Sequence, residues 1–132
     1  MSSAPTGPEI TAVIQARNEA ENLPELIGEI HAALAGRDYE IVVVDDGSTD
    51  NTPGLLADLA TTDPRLVCVR EPASLGRSAA VFTGTRKARG RRIVTLDGDG
   101  QNNPIYIPVL ADRLDDPEIG LVAGQRLGRK DT

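Results

Sequence analysis

The stretch "YEIVVVDDGSTDNTPGLLADLA", residues 39–60, decides the fold class. Residues 41–44 are an unbroken Ile/Val run, as in a strand covered on both faces. The run stops at Asp45-Asp46-Gly47, and Leu55, Leu56 and Leu59 then recur at helical spacing. Thr52 before Pro53 suits a helix start, with Thr52 as cap and proline at the first helical position. A buried strand, a sharp turn and a helix make one β/α unit, and the fold class follows from whether the rest of the chain repeats it.

It does. "EITAVIQA" (9–16), "RLVCVR" (65–70), "RRIVTLD" (91–97) and "IGLVAG" (119–124) join 39–45 as candidate strands. Between them lie helical stretches. Asn22 to Ala35 places Leu23, Ile27, Ile30 and Leu34 on one side and stops at Gly36. Arg77 to Ala88 carries Gly84 at some cost in helix propensity. "IPVLADRL" needs Pro108 near its start and ends at Asp116 and Pro117. Strict alternation predicts an α/β fold with a mainly parallel sheet of about five strands and right-handed crossovers.

At 132 residues the chain is one domain. With two tyrosines, one phenylalanine and no tryptophan, its core must be aliphatic. A net charge of −6 speaks against a nucleic-acid partner held by phosphate neutralisation. The lone Cys68 excludes a disulfide or zinc site within the chain and reads as a small buried hydrophobe. Residues 1–8, "MSSAPTGP", read as a flexible leader, and 9–132 as the folded domain. No run approaches the roughly 20 apolar residues of a membrane span, so the expected location is cytoplasmic.

In an open parallel sheet, ligands bind beyond the carboxyl ends of the strands, where the unusual residues of this sequence fall. Asp45 and Asp46 are adjacent, so their side chains take opposite faces, one serving the turn and the other the crevice. Gly47 allows the sharp turn, and Ser48, Thr49 and Asp50 are candidate caps of the next helix. Asp97 and Asp99 flank Gly98; on an extended backbone both carboxylates project to one side. Either they begin a solvated turn, or a cation sits between them, because like charges in a cleft raise each other's proton affinity. Oxygen donors of this type, with Gln101 as a neutral addition, suit Mg²⁺ or Mn²⁺, and Mg²⁺ is commonly held by one or two carboxylates plus a substrate diphosphate. Gly76 and the amides after it form either an ordinary turn or an anion site with Arg77. Arg126 is either a solvated side chain or a phosphate partner at the end of the fifth strand.

Taken in order, "IQARNEAENL", "VVVDDGSTDNT", "SLGRSAAVFTG", "VTLDGDGQNNP" and "LVAGQR" resemble the nucleotide-sugar-binding half of the family 2 glycosyltransferases, over about residues 9–127. The likeness is greatest to the dolichyl-phosphate mannosyltransferase and undecaprenyl-phosphate glycosyltransferase branch. It implies a Rossmann-like GT-A fold of three α/β/α layers, C-terminally incomplete relative to the family. It also implies Gln15, Arg17 and Glu19 beside the nucleotide, with Val44 and Asp46 near its base and ribose. Asp97, Gly98, Asp99 and Gln101 would form the metal and sugar-diphosphate site, with Asp99 the strongest ligand, and Arg126 would face the phosphates. Gln15 stands where the family often has proline, Gly98 where it has alanine and Gly100 where it has a bulky apolar residue; the two glycines imply a looser metal loop.

The expected activity is metal-dependent, inverting transfer from a UDP- or GDP-sugar to a polyprenyl phosphate, with Asp97, Asp99 and Arg126 in the catalytic set. A phosphate acceptor is already anionic and tolerates the lack of the downstream carboxylate base that hydroxyl acceptors need. The alternative is a nucleotide-sugar-binding module without turnover. A further expectation is a second copy covering an exposed sheet edge, and membrane association in a longer form. A phospho-receiver domain would need its acidic pair after the first strand, which instead ends in "QARNE", and a dinucleotide dehydrogenase would need Gly-x-Gly-x-x-Gly there.

Overall fold

The computed structural model describes residues 7–98 and 103–113. Four strands, β1 (Ile10–Ala16), β2 (Tyr39–Asp46), β3 (Leu66–Glu71) and β4 (Arg92–Asp97), form one sheet in the order β3-β2-β1-β4. All three pairings are parallel. The helices are α1 (Leu23–Ala33), α2 (Thr52–Thr62), α3 (Arg77–Lys87) and α4 (Ile107–Arg113), the last preceded by a 3-10 turn at Pro104–Tyr106. The expected fifth strand, 119–124, and the helix stop at Asp116 and Pro117 lie outside the described residues.

Side-chain alternation divides the core into two layers. Ile10, Ala12, Ile14, Ile41, Val43, Val94 and Leu96 pack with Leu23, Ile27, Ile30 and Leu34 of the first helical stretch, Leu56 of α2 and Leu110 of α4. Val13, Val42 and Val44 take the other face, under Ala80 of α3. The strands read as near-continuous apolar runs because both faces are covered. Gly84 explains how α3 comes so close: a Cβ there would lie 2.4 Å from Val13 Cγ1 and 3.0 Å from Val44 Cγ2. The glycine that weakens the helix by propensity is what lets it seat on the sheet.

Two local expectations are corrected. Asn51, not Thr52, is the cap residue of α2, and Asp50 Oδ1 accepts from the Thr52 amide at 2.8 Å. The Thr52 hydroxyl accepts from the Glu19 amide at 3.1 Å, tying α2 to the loop after β1. Cys68 is exposed rather than buried, because β3 is an edge strand and α2 covers it only in part. Its sulfur is nonetheless turned toward α2, 3.7 Å from the Leu56 carbonyl, and this partial cover, with Asp45 and Asp63 nearby, pushes the thiol up to about 11. The thiol is therefore protonated at neutral pH and a poor nucleophile.

Candidate functional site

The alternation that builds the core also builds the rim. Gln15 pairs with Val44 on one side and Asp97 on the other, and Asp46 follows two residues after Val44. Gln15, Asp46 and Asp97 therefore project from neighbouring strands onto the α3 face of the sheet, at its carboxyl edge.

Asp97 is 2% exposed. Its Oδ1 accepts a 2.6 Å bond from Gln15 Nε2, and its Oδ2 lies 3.2 Å from Arg77 Nη2 at the first residue of α3. A proline at position 15 has no amide to offer here, so the departure from the family pattern has a local partner. Gly98 extends the β1–β4 pairing, its amide donating to the Gln15 carbonyl at 2.8 Å. A Cβ on Gly98 would stand 2.9 Å from the Ala16 Cβ, so this glycine marks a close approach of two strands rather than a loose loop. Asp99, Gln101 and Arg126, three members of the expected metal and phosphate set, lie outside the described residues, as does Gly100.

The two adjacent aspartates do take opposite faces, and both serve loops. Asp45 Oδ1 accepts from the Ser48 amide at 3.1 Å, and its Oδ2 has Arg70 Nε at 4.0 Å. Asp46 accepts from Ser74 Oγ (3.0 Å), the Leu75 amide (2.8 Å) and the Gly76 amide (3.1 Å). The Gly76 amide, expected to serve either an ordinary turn or an external anion, thus holds an internal carboxylate, as does the amide of Leu75 before it. Gly76 at φ 100° and Gly47 at φ 69° give the backbone of these loops its left-handed steps. At Gly47 a Cβ would fall 2.3 Å from the Ser74 amide nitrogen, so only glycine lets the two loops meet.

Val44 is wholly buried, and its side chain belongs to the layer under α3. Glu19 frames the start of α1: its carboxylate accepts from Asn22 Nδ2 at 2.7 Å and its carbonyl from the Asn22 and Leu23 amides. Arg17 is exposed at the end of β1 and makes no hydrogen bond or ion pair with the other described residues, which leaves a cation at the rim. Hydrogen bonds from Thr52, side chain first and then backbone, hold the Asp50 carboxyl below its ordinary value.

Asn18 is the residue that sequence reasoning missed. It is the one non-glycine with positive φ (56°) among the described residues. Its amide donates to Ser48 Oγ at 2.8 Å, and its Oδ1 accepts from the Thr49 and Asp50 amides at 2.8 and 3.1 Å. It thus ties the loop after β1 to the loop after β2. The available signal was its type, since asparagine tolerates the left-handed region better than most residues. Among the grooves elsewhere are one of about 330 Å³ beside α1, lined by Ala32, Ala33, Pro104 and Ile105, and one of about 280 Å³ at the amino ends of the strands, lined by Glu40, Arg65 and Arg89. Neither touches the Gln15–Asp97–Arg77 group.

The rim therefore offers a buried carboxylate between an amide and a guanidinium, with a second arginine nearby, on a parallel α/β sheet. Comparison with known proteins agrees. The family model described as "Glycosyl transferase family 2" matches residues 11–132. An undecaprenyl-phosphate 4-deoxy-4-formamido-L-arabinose transferase of Enterobacter sp. (strain 638) is 41% identical over 128 residues, covering 94% of this chain and 38% of that protein. One of the same name from Pseudomonas fluorescens (strain SBW25) is 41% identical over 107 residues, covering 79% of this chain and 31% of that protein. The chain thus spans well under half the length of these relatives. The mannosyltransferase PcManGT from Pyrobaculum calidifontis, solved with GDP-Man and Mn²⁺, is 33% identical with a TM-score of 0.63, covering 73% of this chain and 30% of that one. S. aureus TarS, at 20% identity and a TM-score of 0.65 over 82% of this chain and 32% of its own, shares the fold. The four-stranded parallel sheet with its flanking helices is the N-terminal part of a GT-A fold, and the chain belongs to glycosyl transferase family 2.

Proposed function

We propose that this chain forms the donor-binding half of an inverting, metal-dependent glycosyltransferase that takes a UDP- or GDP-sugar and delivers the sugar to a polyprenyl phosphate. The observation that carries this reading is Asp97, buried at the carboxyl end of β4 with Gln15 on one oxygen and Arg77 beside the other. A carboxylate so placed calls for positive charge, and hard oxygen donors fit Mg²⁺ or Mn²⁺. The residues that would hold the ion are Asp97, Asp99 and Gln101. When bound, the ion neutralises charge on the leaving diphosphate.

The protein's own residues do the rest. Gln15 fixes the direction of Asp97 by donating to Oδ1. Asp46, by binding the amides of Leu75 and Gly76, fixes the loop that presents Arg77. Arg77 is about half exposed, so its guanidinium has the freedom to leave Asp97 for a phosphate oxygen. Arg17 supplies a further cation at the rim, and Arg126 is proposed as a third. A polyprenyl phosphate brings its own oxyanion, which attacks the anomeric carbon opposite the departing diphosphate without a general base. The relatives named for undecaprenyl phosphate and the neighbour solved with GDP-Man and Mn²⁺ support these two substrate classes.

The test is a thermal-shift and calorimetric screen of UDP- and GDP-sugars with and without Mn²⁺. A metal-dependent stabilisation lost in Asp97→Asn and in Asp99→Ala is expected. Stabilisation unchanged in both variants overturns the site. Binding with no transfer to polyprenyl phosphate favours the alternative of a binding module without turnover.

A further inference from the structure

Charge is distributed very unevenly along this acidic chain. Between Glu71 and Asp97 there is no Asp or Glu, while Arg77, Arg86, Lys87, Arg89, Arg91 and Arg92 all fall there. The segment is α3 with its two flanks, and α3 stands on the opposite side of the sheet from α1, α2 and α4. The other side carries Glu21, Glu25 and Glu29, exposed on and just before α1. The fold thus gathers an excess of positive charge on the α3 side of a chain whose net charge is −6, although Glu71 accepts from Thr83 of α3 at 2.8 Å there.

Some of the cations have internal work. Arg77 pairs with Asp97, Arg89 with Glu40 at 3.0 Å and Arg92 with Glu9 at 2.6 Å. Arg86, Lys87 and Arg91 are exposed and pair with no acid among the described residues. Beside them, Phe82 is 62% exposed in mid-helix, and Leu75 is 61% exposed just before it. The Arg86 guanidinium lies 5.7 Å from the centre of the Phe82 ring, and Phe82, Thr83, Arg86 and Lys87 line a shallow groove of about 270 Å³. The largest side chain of α3 is exposed beside two cations, Arg86 and Lys87.

We propose that the α3 face is a docking surface for an anionic lipid bilayer. Exposed cations around an exposed aromatic ring match a negative headgroup layer, in which the ring enters the interface and the cations stay among the phosphates. An acidic protein surface offers the charge but no interfacial layer for Phe82. The helix begins at the rim, where Arg77 meets Asp97, so lying along the bilayer brings the donor site to the plane in which a polyprenyl phosphate head group resides. No helix of the described residues is long and apolar enough to cross a membrane, so contact here is peripheral. The inference goes beyond the donor site and fails independently of it.

The experiment is co-sedimentation of the full chain with large unilamellar vesicles of phosphatidylcholine containing phosphatidylglycerol, compared with phosphatidylcholine alone. Binding is expected only to the anionic vesicles, weakening as salt rises. Arg86→Glu/Lys87→Glu/Arg91→Glu should lower the partition coefficient at least about a hundredfold. Phe82→Ser should lower it about tenfold. Circular dichroism melting and the metal-dependent donor stabilisation are measured on the same variants and should be unchanged. Equal binding to neutral vesicles, retention by the charge-reversed variant, or no binding to anionic vesicles each overturns the docking surface, and none of these results bears on donor binding.

Discussion

Arg77 Nη2 stands 3.2 Å from Asp97 Oδ2, joining the first residue of α3 to the last residue of β4. The pair is asymmetric: the carboxylate is nearly buried and the guanidinium about half in water. The aspartate is held, and the arginine is free to exchange partners.

Arg77→Gln should therefore cost about 1–3 kcal/mol by urea denaturation, because the guanidinium is half in water and screened while the carboxylate it faces is nearly buried and loses this cation. It should weaken binding of a nucleoside diphosphate sugar about tenfold by calorimetry with Mn²⁺, since a charge-assisted contact to phosphate is lost. Unchanged affinity would show that Arg77 serves only Asp97.

Asn18 joins two loops through three close hydrogen bonds and holds a left-handed backbone. Asn18→Ala loses the side-chain acceptor and strains the backbone, an expected cost of about 1–3 kcal/mol. Asn18→Gly loses the same bonds without the strain and should be the less damaging of the two. Equal midpoints in urea for the two variants would contradict a role for the backbone conformation.

Gly84→Ala pits two effects against each other. Alanine gains about 1 kcal/mol of helix propensity, but overpacking costs about 1–3 kcal/mol, and a contact of 2.4 Å to Val13 Cγ1 cannot be met without displacing α3. Net destabilisation is expected. Val13→Ala opens space beside the new methyl, so the double variant should be more stable than the sum of the two losses. Simple additivity in denaturation would refute the contact.

Glu9 gives the fold a pH dependence. The hydrogen bond from Arg37, then that from Arg92, holds its carboxyl below the ordinary 4.5 against the opposing effect of burial. A carboxyl whose folded value is depressed contributes stability that is fully present above its unfolded value and is lost as pH falls through the folded one. Glu9→Gln should therefore melt lower than the parent at pH 7. The gap should narrow below about pH 4.5 as the parent carboxyl protonates. A gap that stays constant down to the acid limit would show that packing of Glu9, not its charge, matters.

The order of elements, the parallel sheet and the apolar sides of the helices were legible in residues 10–113 because burial on both strand faces and a 3.6-residue period leave direct marks on composition. Leu23, Ile27, Ile30 and Leu34 were placed in the core by spacing alone, and all four are there. The family was legible for a related reason: among the described residues its motifs fall, in chain order, at the carboxyl ends of β1, β2 and β4 and at the start of α3.

Which partner each polar residue takes was not legible, because the partners lie far apart in the chain. Gln15 meets Asp97 across 82 positions, and Asp46 meets Gly76 across 30. Cys68 reads like its buried neighbours until strand order puts β3 at the edge of the sheet. Gly84 reads as a defect until α3 is seen against Val13. The chain by itself determined the alternation of strands and helices, because hydrophobic period acts locally. Only the tertiary structure decided the edge strand, the close helix contact and the company of Asp97, because each depends on the register between strands that no local pattern encodes.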